Sequence, residues 1–174
     1  MKTVLLSLST LLAGAVVAAP VTAQGPTDPQ IAAIVVAANQ VDIDAGHLAV
    51  RQGRDAQVKA FARQMITDHS AVNAAAVKLV TKLHVTPEAN ATSKQLTDGG
   101  VANRKKLTPL HGAAFDKAYI DNEVAYHQAV LDAIDKTLIP NAKNAELKAL
   151  LEQTRPAIAA HLDHAKQIQA SLKG

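Results

Sequence analysis

The chain has 174 residues, no cysteine, and 18 basic against 15 acidic side chains, for a formal net charge of +3. Lacking cysteine, it excludes thiol catalysis, disulfide stapling and lipid attachment at a terminal cysteine. Its balanced charge advertises neither a nucleic-acid nor an acidic-lipid surface. With two Phe, two Tyr and no Trp in a 48% hydrophobic composition, closely packed helices are favoured over strands.

Residues 1–23 read as a signal peptide. Lys2 supplies a short positive region, Val4 to Ala19 an apolar one, and Val21-Thr22-Ala23 a small-residue cleavage site before Gln24. A retained anchor is the weaker reading, because the apolar run falls short of about 18 residues and Pro20 follows it at once. The expected product, residues 24–174, carries no transmembrane segment and is long enough for one domain with its own core. Export to the periplasm or envelope follows.

Asp28-Pro29 predicts an N-cap with proline at the first helical position. Helix one runs to about Gln52 along the seam Ile31, Val35, Ala38, Asp42, Ala45, Ala49, and Gly53 ends it. Asp55 can cap helix two, which continues to about Leu83 on an inner face that holds Val58, Phe61, Met65, Val72 and Leu79. Asp68 and His69 straddle the centre of that face. Residues 84–111 form a connection with a short helix from Thr92 to Leu107, since so long a structureless loop would be unusual. Its basic run Arg104-Lys105-Lys106 reads as a solvated loop. Helix three spans Ala113 to Leu138, stopped by Pro140. Helix four spans Asn144 to Leu172, with a kink expected at Pro156. The pattern is all-α: an up-down four-helix bundle with a longer helix 2–3 crossover that holds a short helix.

Polar residues interrupt the apolar seams. Helix three reads Ile120, Val124, His127, Leu131, Ile134, Leu138, and helix four places His161 between Ile158 and Ala165. A buried histidine costs free energy unless something satisfies it. Counted from the connecting turns, His69 and His127 are level, while His161 and Asp42 lie about one turn (5.4 Å) away. Glu123 precedes His127 by four residues, on the same side of its helix. Asp42, Asp68, His69, Glu123, His127 and His161 can therefore converge on one layer. Two chemistries suit that layer: a structural hydrogen-bond network, the leading reading, or a divalent metal such as Zn, Fe or Mn held by imidazole and carboxylate.

The segment Phe61-Ala62-Arg63-Gln64-Met65-Ile66-Thr67-Asp68-His69 resembles a bacterial exported family, as does residues 38–49. So do Phe115 to Ile120 with His127, and Pro156 with His161. The family is domain of unknown function 4142, often labelled predicted outer-membrane protein. The resemblance implies a ferritin-like bundle in the periplasm or envelope, an envelope or stress role, and no established reaction. Its pattern has an acid near Asp42, then Asp68-His69, and histidines that match His127 and His161.

A di-iron oxidase does not follow. Such sites take a Glu from each of two helices and Glu-x-x-His from each of the other two. The one acid-x-x-His match, Asp44 to His47, points away from the core face. His47, His84, His111 and His164 read as outer-face, helix-end or flanking residues, and Tyr119 with Tyr126 as cover for a second face of helix three. No phosphate-cradling loop, nucleophile elbow or serine triad appears. The expected function is thus a non-enzymatic, soluble periplasmic helical protein, with divalent-metal binding the alternative; no protein partner is named by the sequence.

Overall fold

Thr27, rather than Asp28, caps the first helix. In the computed structural model, which describes residues 25–172, α1 (Asp28–Gln52) has Asp28 and Pro29 in its first turn. The Thr27 N–H donates to Gln30 Oε1 at 3.2 Å. The Asp28 carboxylate is occupied elsewhere: it accepts the Lys143 and Asn144 N–H groups at 2.8 and 2.9 Å, so it fastens the start of α1 to a distant turn.

The other ends follow local chemistry. Gly53 N–H closes α1 on Ala49 O, and Asp55 caps α2 (Ala56–Lys82) by accepting from Gln57 and Val58 N–H. The intervening turn is held from outside. Asp116, 2% exposed, accepts Arg54 N–H and Asp55 N–H at 2.9 Å each. Asn90 caps α3 (Ala91–Leu107) through Ser93 N–H. The basic run does not form a loop but the last turn of α3, where cations complement the helix dipole. Arg104 there pairs with Asp44 at 3.0 Å.

Pro140 does not stop the next helix at Leu138. α4 (Gly112–Ala133) passes into a π turn, Ile134–Leu138, and on into α5 (Ile139–Asn141). The π turn sends Ile139 N–H back five residues to Ile134 O. Pro140 then falls in a new first turn, where no N–H is needed. α6 (Ala145–Ser171) is capped by Asn144 and runs through Pro156 without ending.

Among the described residues every regular element is a helix, and five helices have 17 residues or more. α1 packs against α2, α3 and α4, and α6 against α4 and α2. α3 approaches α1 closely at Gly100, where an added Cβ would lie 2.7 Å from Val41 Cγ2. Two apolar clusters result. One gathers Phe61, Met65, Phe115, Tyr119, Ile120 and Ile168; the other gathers Ile31, Val35, Ile134, Leu147, Leu151 and Ile158. On α1, α2, α4 and α6 alike, the residues between the clusters are polar: Asn39 and Asp42, His69, Glu123 and His127, and His161.

Candidate metal centre

His69, His127 and His161 are 2%, 0% and 3% exposed. Their ring centroids lie 5.4 to 5.7 Å apart. One nitrogen of each ring lies within 4.8 Å of the others. The neighbours fix which nitrogen carries the proton. Asn39 Nδ2 donates to Val35 O at 2.9 Å, which turns Asn39 Oδ1 toward His69 Nδ1 at 2.7 Å. An amide oxygen only accepts, so His69 Nδ1 is the protonated nitrogen. His127 Nδ1 faces the backbone carbonyl of Glu123 at 3.0 Å, with the same consequence. His161 Nε2 donates to Asp68 Oδ2 at 2.9 Å.

That leaves His69 Nε2, His127 Nε2 and His161 Nδ1 as bare lone pairs. All three are buried, and none has a hydrogen-bond partner. An imidazole anchored through one nitrogen to a carbonyl, amide or carboxylate, with the other nitrogen free, is the arrangement of a metal-ligating histidine.

A second group of Asp42, Glu123 and His127 offers ligand atoms within 4.8 Å of one another. Asp42 Oδ2 lies 3.3 Å from His69 Nε2, and Glu123 Oε2 lies 3.4 Å from His127 Nδ1. Glu123 is 0% exposed. Asp42 and Tyr119 stand close enough to its carboxyl to perturb it. Burial pushes the Asp42 carboxyl up to about 7. Burial, and then the charge of Asp42, push Glu123 well above the usual carboxylate range. Burial also depresses His69 to about 3 and His127 to about 4, and lowers His161. No Lys or Arg is among the buried polar residues described. The layer therefore stays neutral by keeping protons on its acids and off its imidazoles. A divalent cation would replace those protons, and imidazole with carboxylate is a donor set that suits Zn, Fe or Mn.

All six residues singled out by periodicity meet in or beside this layer. Asp68 differs from the rest: its side chain is 41% exposed, and it anchors His161 from outside. Asp44 and His47 lie outside, Asp44 paired with Arg104 and His47 exposed. Periodicity missed Asn39 and misplaced the two tyrosines. Tyr119 is buried beside Glu123 and Asp42, and the Tyr126 hydroxyl donates to Ala38 O at 3.0 Å, so both point inward. The i, i+4 series Tyr119, Glu123, His127 was the available signal.

The chain is thus a helical protein whose core is divided by a layer of imidazoles and carboxylates. The family described as domain of unknown function (DUF4142) matches residues 13–168, and the chain belongs to that family. No curated protein and no solved structure matches it.

The layer gives the metal-free protein a distinctive pH profile. Below about pH 6.5 the unfolded chain binds protons that the three folded imidazoles refuse, so these groups make stability rise with pH. Asp42 and Glu123 oppose them. Their folded carboxyls keep protons that unfolded ones lose above about pH 4, so they make stability fall as pH rises. The imidazoles dominate toward the acid end and the acids toward the alkaline end, Asp42 up to about pH 7 and Glu123 beyond it. Chemical unfolding of metal-free protein from pH 4.5 to 8.5 should therefore show a maximum inside that range. Each net proton contributes about 1.4 kcal/mol per pH unit on the alkaline side. Asp42→Asn should flatten the descent up to about pH 7, where that carboxyl loses its proton; an unchanged descent there would refute the assignment.

Proposed function

We propose that this protein is an exported, non-enzymatic helical protein that binds a divalent transition metal, Zn, Fe or Mn, at His69, His127 and His161, with Asp42 and Glu123 completing the donor set. One observation carries the reading: each of three clustered, buried imidazoles is anchored to an acceptor through one nitrogen and leaves the other without a hydrogen bond, that of His69 having only Asp42 Oδ2 nearby at 3.3 Å. A closed hydrogen-bond network would spend all of those inward nitrogens on donors, and His127 Nε2 and His161 Nδ1 have none. We read α1, α2, α4 and α6 as an up-down four-helix bundle of the ferritin-like kind, with α3 as the crossover helix. Export rests on the Lys2 to Ala23 leader, which lies outside the described residues. Among those described, no helix is long and apolar enough to cross a membrane.

Elemental analysis of untagged protein from its native host tests the metal directly. We expect one metal ion per chain, lost with a chelator and recovered by titration with Zn or Mn. His161→Leu should recover none. If stripped wild type takes up no metal in an equilibrium titration, the reading falls. N-terminal sequencing of the same preparation should begin at Gln24; Met1 on membrane-bound material would overturn export.

A further inference from the structure

A second feature of the fold has no part in the metal centre's donor set. Between α1, α4 and α6 lies a chamber of about 310 Å³, walled by Ile34, Val130, Ile134, Leu150, Leu151 and Ile158. Beside it along α3 lies a more open chamber of about 440 Å³, where Gln95, Asn103 and Asn122 line the wall. Thr92, Leu96 and Tyr126 belong to both walls, so the two are adjoining chambers of a cleft.

The lining is unusual for a chain with 19% charged residues, because neither chamber has one Asp, Glu, Lys, Arg or His in its wall. Three polar side chains of the first chamber are spent on the protein. Asn39 bonds Val35 O and His69, Tyr126 bonds Ala38 O, and Thr154 bonds Leu150 O. Water entering that chamber finds few partners, and an apolar void half this size, about 150 Å³, stays dry and takes up benzene. The second chamber differs. Its Asn103 Nδ2 is buried and has no acceptor. The π turn adds Ile134 and Leu138 to the apolar wall, and such turns recur at functional sites. Gly99 leaves open space on the amide side, since an added Cβ there would meet nothing within 4 Å.

We propose that this cleft binds a neutral amphiphile, its hydrocarbon tail in the chamber of α1, α4 and α6 and an uncharged, oxygen-bearing head on the amides beside α3. Size and lining select the class. A volume near 300 Å³ is the lower range of ligand pockets, and such pockets combine apolar walls with a few placed polar groups. A charged head would find no counter-charge in the wall of the amide chamber. The proposal does not depend on metal.

The probe is N-phenyl-1-naphthylamine, an uncharged dye that fluoresces in apolar surroundings, titrated into the full mature chain. We expect saturable binding at one site per chain, competed by 1-decanol at least tenfold better than by decanoate. Ala133→Phe, which fills the apolar chamber, should weaken the dye at least tenfold. Asn103→Leu should weaken decanol several-fold and leave the dye unchanged. Ala129→Phe at the exposed rim is the second variant should Ala133→Phe lose its cooperative melt. No saturable dye binding, dye affinity unchanged in the chamber-filling variant that folds, or decanoate competing as well as decanol would each overturn the proposal.

Discussion

Zinc or manganese added to chelator-stripped protein raises the melting temperature by about 5–10 °C at a hundredfold excess over the dissociation constant. A ligand that binds only the folded state contributes about 2.7 kcal/mol at that excess, and a domain of this size gains about 2–4 °C per kcal/mol. His127→Leu and His161→Leu should show almost no shift. Without metal, His127→Leu should be tolerated or more stable, since it replaces an unpartnered buried nitrogen with apolar packing. The shift should also grow from pH 6 to pH 8, because a metal at Asp42 displaces a proton that the buried carboxyl holds up to about 7. Thermal melts with and without metal at both pH values are the measurement. No shift in wild type at millimolar metal would falsify the metal reading.

Asp116→Ala should be strongly destabilising although it lies away from the layer. Its two oxygens each accept one backbone N–H of the α1–α2 turn, so one side chain on α4 fixes how that hairpin meets the rest of the core. Hydrogen bonds to a charged group contribute about 1.5–3 kcal/mol each, discounted here because the turn is partly exposed to water. The expected loss is about 2–4 kcal/mol, or about 5–15 °C in melting temperature. Asp116→Asn keeps one acceptor and should lose about half as much. A change under about 1 kcal/mol would mean that the turn is held by its own caps.

Helix ends written in neighbouring residues were legible. Gly53, Asp55 and Asn144 act on N–H or C=O groups within four positions of themselves, and the structure places them as their types predict. Asp28 was misread because its partners, Lys143 and Asn144, are more than a hundred positions away. The π turn leaves no compositional trace, so Pro140 looked like a stop. For the candidate site, polar residues on an apolar rhythm identified the right layer. Asn39 escaped because a periodic reading selects one stripe, while α1 is covered by α2, α3 and α4 and buries a wider face. Tyr119 escaped because its seven-residue spacing from Tyr126 reads as cover for a second face of the helix. The protonated nitrogen of each histidine depends on Asn39 Oδ1, a backbone carbonyl and Asp68, which only the folded chain brings together.

Asp68 is the one member of the set whose side chain reaches solvent, and it does so while bonded to His161. An ion held behind it would meet this carboxylate on the side where the set itself reaches solvent. Loading and release would then be gated: entry begins as an encounter with an exposed acid, and departure waits for the Asp68–His161 bond to break or for α6 to part locally from α2. Such openings are slower than diffusion. Occupancy would record past metal supply rather than follow its moment-to-moment level.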